Sequence, residues 1–378
     1  MPTRPPRPVP LIADADRIRH VLVVGKTGAG KSTLLRRLAA DDLAAGRGLL
    51  LIDPHGDLAA QVRDDVPRHR KNDLRFLDGT DPENAPGLNP LHGVARDERA
   101  LAVSNLLSTL KKLFEEAWGF RTEHILRHVF LTLMEVRGAT LVDALAILLD
   151  ESRRRSILRQ IEDPRVLAFW THEFTSYGKA FLAEILAAPL NKLSALFVST
   201  LTVTLLTRRR PRIDARKLLD RGGVLLASLP KGRIGEDATV LVAGLLLGAF
   251  AQAATSRADT ELEARRPFSI LVDETASVAP AGFLGFVAEA RKFGVGITLA
   301  VQSLAALDRE LRSHLVANTG SLACFRVSAE DAEIVSDELC GALTPHALQS
   351  QDIGEFALKV GNATPVIIRP DGVQRLCA

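Results

Sequence analysis

The chain has little cysteine, little aromatic content and little net charge. Its three cysteines, Cys324, Cys340 and Cys377, have neither the number nor the spacing of a disulfide framework or a thiolate metal site. That excludes a disulfide-stapled secreted scaffold, and a cytoplasmic location is expected. Aromatic residues make up 5% of the chain and are not interleaved with basic ones, which excludes a stacking platform for unpaired bases. The formal net charge of +3 is too small to identify a nucleic-acid partner. The excess is uneven: residues 96–217 hold 20 Lys and Arg against 14 Asp and Glu, while the rest holds 28 against 31. A solvated helical surface accounts for this as well as a polyanion partner does. Uncharged runs are also few. Ala238 to Ser256 is long enough to raise a membrane span. It contains Thr239, Gln252, Thr255 and several Ala and Gly, and lies between two predicted strands. It is read as a buried helix, with no integral membrane segment. Met1–Pro10 reads as a loose proline-rich lead, and no secretory signal or internal repeat is visible.

Gly25-Lys26-Thr27-Gly28-Ala29-Gly30-Lys31-Ser32 is the most informative stretch that is present. It has the spacing Gly-x-x-x-x-Gly-Lys-[Ser/Thr], between an apolar run Val21–Val24 and the helical pattern Thr33–Ala40. A phosphate-binding loop needs that strand–turn–helix context. Backbone N–H groups of Gly25, Thr27, Gly28, Ala29, Gly30, Lys31, Ser32 and Thr33 would surround the phosphates at a helix N-terminus. Lys31 would contact the β- and γ-phosphates, and Ser32 would place its hydroxyl on Mg²⁺. Far downstream, Phe268–Val272 ends in Asp273-Glu274. Asp273 suits a Mg²⁺ site and Glu274 a general base that polarises water. The strand Val295–Val301 ends at Gln302, which suits a γ-phosphate or water sensor, or an ordinary helix-cap turn.

Three weaker groups stay open. His124 and His128 are four apart on a predicted helix, but no third metal ligand is evident. Arg153–Arg155 and Arg208–Arg210 suit DNA phosphates or a solvated face. Lys231 and Arg233, on the turn after Pro230, read as DNA contacts or as solvated cations.

Alternating strands and helices predict an α/β fold with a mostly parallel sheet covered on both faces. The expected division is a lead (1–19), a split nucleotide-binding core (20–95 and 218–378) and an all-helical insertion (96–217). Predicted strands include Leu49–Ile52, Leu74–Leu77, Gly223–Leu229 and Ser321–Val327. Helices are expected at 306–317 and from Ala329, and Gly354–Val360 with Pro365–Ile368 is expected to form a hairpin.

Five segments together resemble the HerA–FtsK superfamily. They are His20–Ser32, Ile52-Asp53-Pro54-His55-Gly56-Asp57, Val272-Asp273-Glu274, Glu289-Ala290-Arg291-Lys292-Phe293-Gly294 and Val301-Gln302-Ser303. A late stretch, Val316–Gly320 and Phe325–Ala332, is also similar. The likeness is greatest to HerA-type DNA translocases and the coupling ATPases of conjugation and type IV secretion. It implies a RecA-like P-loop ATPase core that uses ATP and Mg²⁺. It implies a ring, usually a hexamer, that threads DNA, with Arg291 as an arginine finger inserted into the next subunit's site. A nuclease or a secretion channel would be a further partner. The alternatives are a secretion-type ATPase that moves or remodels protein, and a nucleotide-binding assembly scaffold.

Overall fold

The computed structural model describes residues 11–369 and 374–376; the Met1–Pro10 lead lies outside them. Ten strands form one sheet: β1 (Val21–Val24), β2 (Gly48–Asp53), β3 (Leu74–Asp78), β4 (Val224–Ser228), β5 (Phe268–Val272), β6 (Val295–Val301), β7 (Ser321–Cys324), β8 (Phe356–Val360), β9 (Val366–Ile368) and β10 (Gln374–Leu376). Their order is β10-β9-β8-β7-β1-β6-β5-β2-β4-β3. The seven strands from β7 to β3 are parallel, and β8, β9 and β10 add antiparallel pairs at the other end. The expected tail hairpin is β8–β9, to which β10 adds a third strand.

Strand alternation divides the core. Val21 and Val23 face one layer, with Leu34, Leu35, Leu38, Leu58 and Val62. Leu22 and Val24 face the other, with Val103, Leu246 and Phe283. The period of two lets one apolar strand feed both layers, which is why the central strands lack a polar face. The first layer is covered by α1 (Lys31–Ala44) and α2 (Asp57–Asp65). Against the second lie α3 (Arg99–Leu113), α5 (Glu236–Thr255) and α6 (Ala281–Ala290). The short helix α4 (Lys231–Ile234) precedes α5. No side chain caps α1 at Gly30. Burial of Leu34, Leu35 and Leu38, each contributing roughly 1.5–3 kcal/mol, therefore outweighs a missing cap of about 1 kcal/mol.

The uncharged run forms most of α5, which lies between the sheet and α3. It is apolar on every side because it is packed on every side. It is the one described helix long and apolar enough to cross a membrane, and 78% of that window is buried inside the fold. At Gly244 a Cβ would stand 2.6 Å from Thr109 Cγ2, so any larger residue would require the Thr109 side chain on α3 to shift.

Between β3 and β4 the described chain is helical and irregular, without a strand. Residues 11–19 pack on the core: Arg17, 6% exposed, donates to Asp42 and to Thr298 Oγ1. The strand expected to reach Val327 stops at Cys324. Its partner β1 ends at Val24 and turns into the loop, so only single bonds continue, Phe325 N to Val24 O and Lys26 N to Arg326 O. The helix expected from Ala306 begins at Arg309, where Asp308 accepts from Leu311 N.

Candidate nucleotide site

All seven parallel strands point their carboxyl ends to one edge, where ligands of such sheets bind. The ends of β1, β6, β5, β2 and β4 stand there side by side. They deliver, in that order, the Gly25–Ser32 loop, Gln302, Asp273-Glu274, Asp53-Pro54-His55 and Pro230-Lys231. The resulting cleft, about 450 Å³, is lined by Thr27, Gly28, Gly30, Lys31, Ser32 and Thr33 of the loop. Asp53, His55, Asp57, Asp273, Glu274 and Gln302 face them.

The loop is shaped by two glycines. Gly28 has φ +75° and Gly30 φ +119°, conformations L-residues rarely adopt. A Cβ on Gly30 would also meet Phe325 and the Gly354 Cα at 3.0 and 3.1 Å. The loop is latched from behind, because Gly354 N donates to Ala29 O at 2.9 Å. Lys31 folds back over its own loop, donating to Gly25 O and, at 3.0 Å, to Lys26 O. Burial pulls its ammonium below the ordinary lysine range, against the attraction of Asp273 and Glu274.

Ser32 Oγ donates to Asp273 Oδ2 at 3.2 Å. Burial raises the Asp273 carboxyl above its usual range, and the nearby Asp53 carboxylate raises it further. A hydroxyl and a carboxylate, oxygen donors beside a second buried carboxylate, are the hard ligands a Mg²⁺ ion takes, and its charge relieves that repulsion. The donor set therefore fits the cation; among the described residues no cluster of three or more His, Cys, Asp and Glu is placed to hold a metal by itself.

Glu274 sits at φ +49°, just before the short helix Thr275–Val278, and its side chain makes no capping bond to that helix. Its Oε1 accepts from Gln302 Nε2 at 2.8 Å and lies 3.4 Å from His55 Nε2. Its Oε2 accepts from Lys231 Nζ at 2.7 Å. Burial pushes this carboxyl up, but Lys231 and His55 outweigh it and hold it below the usual range. Gln302 Oε1 in turn accepts from Thr27 Oγ1 at 3.3 Å. Ionised, and aimed across the cleft from the loop, Glu274 can accept a proton from water.

Glu274, Gln302, Asp273 and the loop residues thus stand together. Arg291 does not join them. It lies in the turn Arg291–Phe293 after α6, at the amino end of β6, whereas Gln302 follows the carboxyl end. Its guanidinium is exposed and makes no hydrogen bond or ion pair among the described residues.

His55, which lines the cleft and reaches Glu274, escaped the sequence reading, as did the roles of Asp53 and Lys231. Asp53 is fully buried and accepts from His55 N at 2.9 Å and Ala59 N at 2.8 Å. It orders the Asp53–Asp57 turn. Lys231, expected as a DNA contact or a solvated cation, has its partly exposed ammonium bonded to Glu274. The signal for both was their position just past an apolar strand, whose end a parallel sheet brings to the common edge. Asp53→Ala leaves two N–H groups without their acceptor, a loss of about 2–4 kcal/mol, partly offset by relief of Asp273. A urea midpoint unchanged from the parent would show that water replaces the carboxylate.

The other candidates lie elsewhere. His124 pairs with Glu173 at 2.8 Å and His128 stacks on Phe169 at 4.1 Å, so both pack within the helical segment. Arg153 binds Asp143, Arg155 binds Glu151, and Arg154 caps Ile147 O and Leu148 O. Arg208 donates to Glu83 O at 3.3 Å, whereas Arg209 and Arg210 are exposed.

A sequence model of the family described as "Helicase HerA, central domain" matches residues 4–196. No curated protein matches the chain in sequence. Among solved structures, the plasmid coupling protein TrwB in complex with ADP and Mg²⁺ is similar at 19% identity. Its TM-score is 0.70, with 96% of this chain and 88% of that one covered. The unbound bacterial conjugative coupling protein TrwBdeltaN70 gives 18% identity and a TM-score of 0.69, over 93% and 85%. VirB4 of Thermoanaerobacter pseudethanolicus gives 16% and 0.58, over 93% and 88%. At such identities the likeness establishes the fold.

Proposed function

The chain belongs to the HerA helicase central-domain family, and from that premise we propose that it is an ATPase motor that moves DNA through a ring of its own copies. The observation that carries the reading is the meeting of Lys31, Ser32, Asp273, Glu274 and Gln302 in one cleft. The loop holds the triphosphate, Ser32 and Asp273 hold Mg²⁺, Glu274 takes the proton of the attacking water, and Gln302 orients it. Mg²⁺ held there would supply charge neutralisation on the phosphate oxygens. Arg291 is the finger for the neighbouring copy, because its place across the sheet suits a site in trans. The TrwB complex holds ADP and Mg²⁺, which supports ATP and Mg²⁺ as the cofactors here. A hexamer is the proposed ring.

DNA is the proposed cargo, held by its backbone, since no base-reading element stands out among the described residues. Arg209, Arg210 and Arg233 are exposed cations free for phosphates. A motor that moves protein would use the same cleft, so the cargo must be read from stimulation. ATP turnover is expected to rise on adding DNA of arbitrary sequence. DNA affinity is expected to fall by roughly 10³–10⁵-fold between about 50 and 200 mM salt for six to ten phosphate contacts. Equal binding at both salts, or no DNA effect on turnover, overturns the DNA reading and leaves the ATPase reading standing.

A further inference from the structure

We infer that Lys231 is a positioning residue for hydrolysis, an anchor outside the cleft that holds the Glu274 carboxylate with its Oε1 towards the attacking water. The inference rests on the reading of Glu274 as the base. It adds a residue three positions beyond the end of β4, which neither the loop nor the Asp-Glu motif points to.

The geometry separates the two carboxylate oxygens. Oε1 faces the cleft, where Gln302 and His55 reach it. Oε2 takes the Lys231 ammonium at 2.7 Å, with Ser277 Oγ at 3.5 Å. The cleft is lined by Glu274 and not by Lys231, which meets it through that carboxylate.

Lys231 is itself held. Its backbone N donates to Pro54 O at 3.0 Å, and Leu229 N donates to Asp53 O at 2.8 Å. The turn after β4 is therefore stitched to the turn after β2, and both are stitched to the catalytic edge. Glu274 is 13% exposed and Lys231 37%, so the carboxylate end of the pair is shielded while the ammonium stays open to water and its screening.

The other tether is exchangeable. Gln302 bonds Thr27 of the loop as well as Glu274, so a γ-phosphate arriving beside Thr27 competes for its amide. The bond to Lys231 is on the far oxygen and does not compete. It is the contact that keeps the carboxylate aimed when nucleotide is bound. A misplacement of about 1 Å costs up to roughly 10²-fold in rate.

The test uses Lys231→Met, which keeps the aliphatic stem, and Lys231→Arg, which keeps the charge. Each is made in the parent and in Glu274→Gln, with kcat, KM and MgATP binding measured on folded protein. Lys231→Met is expected to lower kcat by about 10–10²-fold with KM and binding nearly unchanged. Lys231→Arg is expected to recover most of the rate. In the Glu274→Gln background, Lys231→Met is expected to add nothing in single-turnover rate, because no base is left to aim. Parental kcat for Lys231→Met overturns the inference. So does a loss confined to KM, a Lys231→Arg variant as slow as Lys231→Met, or a full additional loss on top of Glu274→Gln. If Glu274→Gln itself turns over at the parental rate, the base assignment fails instead, whatever Lys231 does.

Discussion

Arg291→Ala is expected to lower ATP turnover by roughly 10³–10⁵-fold while MgATP affinity changes little. The expectation follows from the two ends of β6. Arg291 precedes this strand and Gln302 follows it. Seven extended residues span about 20 Å, more than an arginine side chain bridges. The Arg291 charge is felt instead by His20, at the entrance of β1, whose imidazole burial lowers to about 4. A guanidinium at this edge meets a γ-phosphate only if the phosphate belongs to another copy. There it offsets the charge that develops on the transferring oxygens. Specific activity should therefore rise with protein concentration. Arg291→Ala mixed with Glu274→Gln, each inactive alone, should regain activity, since some interfaces then carry both intact residues. A monomer by light scattering with full turnover overturns the trans assignment. So does a mixture that stays inactive when mixed rings are demonstrated.

Glu274→Gln is expected to slow hydrolysis by roughly 10²–10⁴-fold, the usual contribution of a positioned general base. The amide preserves size and can still meet Gln302, but it cannot take a proton from water, and it loses the ion pair with Lys231. Lys31, Ser32 and Asp273 are untouched, so nucleotide binding should persist. The variant should trap ATP, recovered unhydrolysed from the washed protein. Parental turnover would show that another group is the base.

Much of this architecture could be read along the chain, for a physical reason. Parallel strands covered on both faces are apolar throughout, so Val21–Val24, Phe268–Val272 and Val295–Val301 announce themselves as runs. The loop carries its own conformational demand, met at Gly28 and Gly30. The end of the Phe268 strand, Asp273-Glu274, gains meaning beside that loop. What could not be read was lateral order. Nothing in Val224–Ser228 says that it neighbours β2, yet that adjacency brings Lys231 to Glu274. Likewise Asp53 matters because β2 lies beside β5, which places its carboxylate near Asp273. Local pattern also misjudged ends: β7 is cut short by its partner's departure at Val24, and the three residues of β10 are too few for a period to show.

The neighbouring, parallel course of β3 and β4 limits how the helical segment between them can be engineered. The chain leaves β3 at the edge that bears the cleft and must re-enter β4 at the opposite edge. The segment is thus not an appendage on a hairpin, removable at its neck. Any replacement must travel back along a strand of five residues, roughly 17 Å, over one face of the sheet, a crossover of a dozen or more residues. A short splice from Asp78 to Val224 would reverse β4 or expel it, and would carry Lys231 away from the cleft. Grafting a shorter crossover helix is a feasible simplification; excision to a tight turn is not.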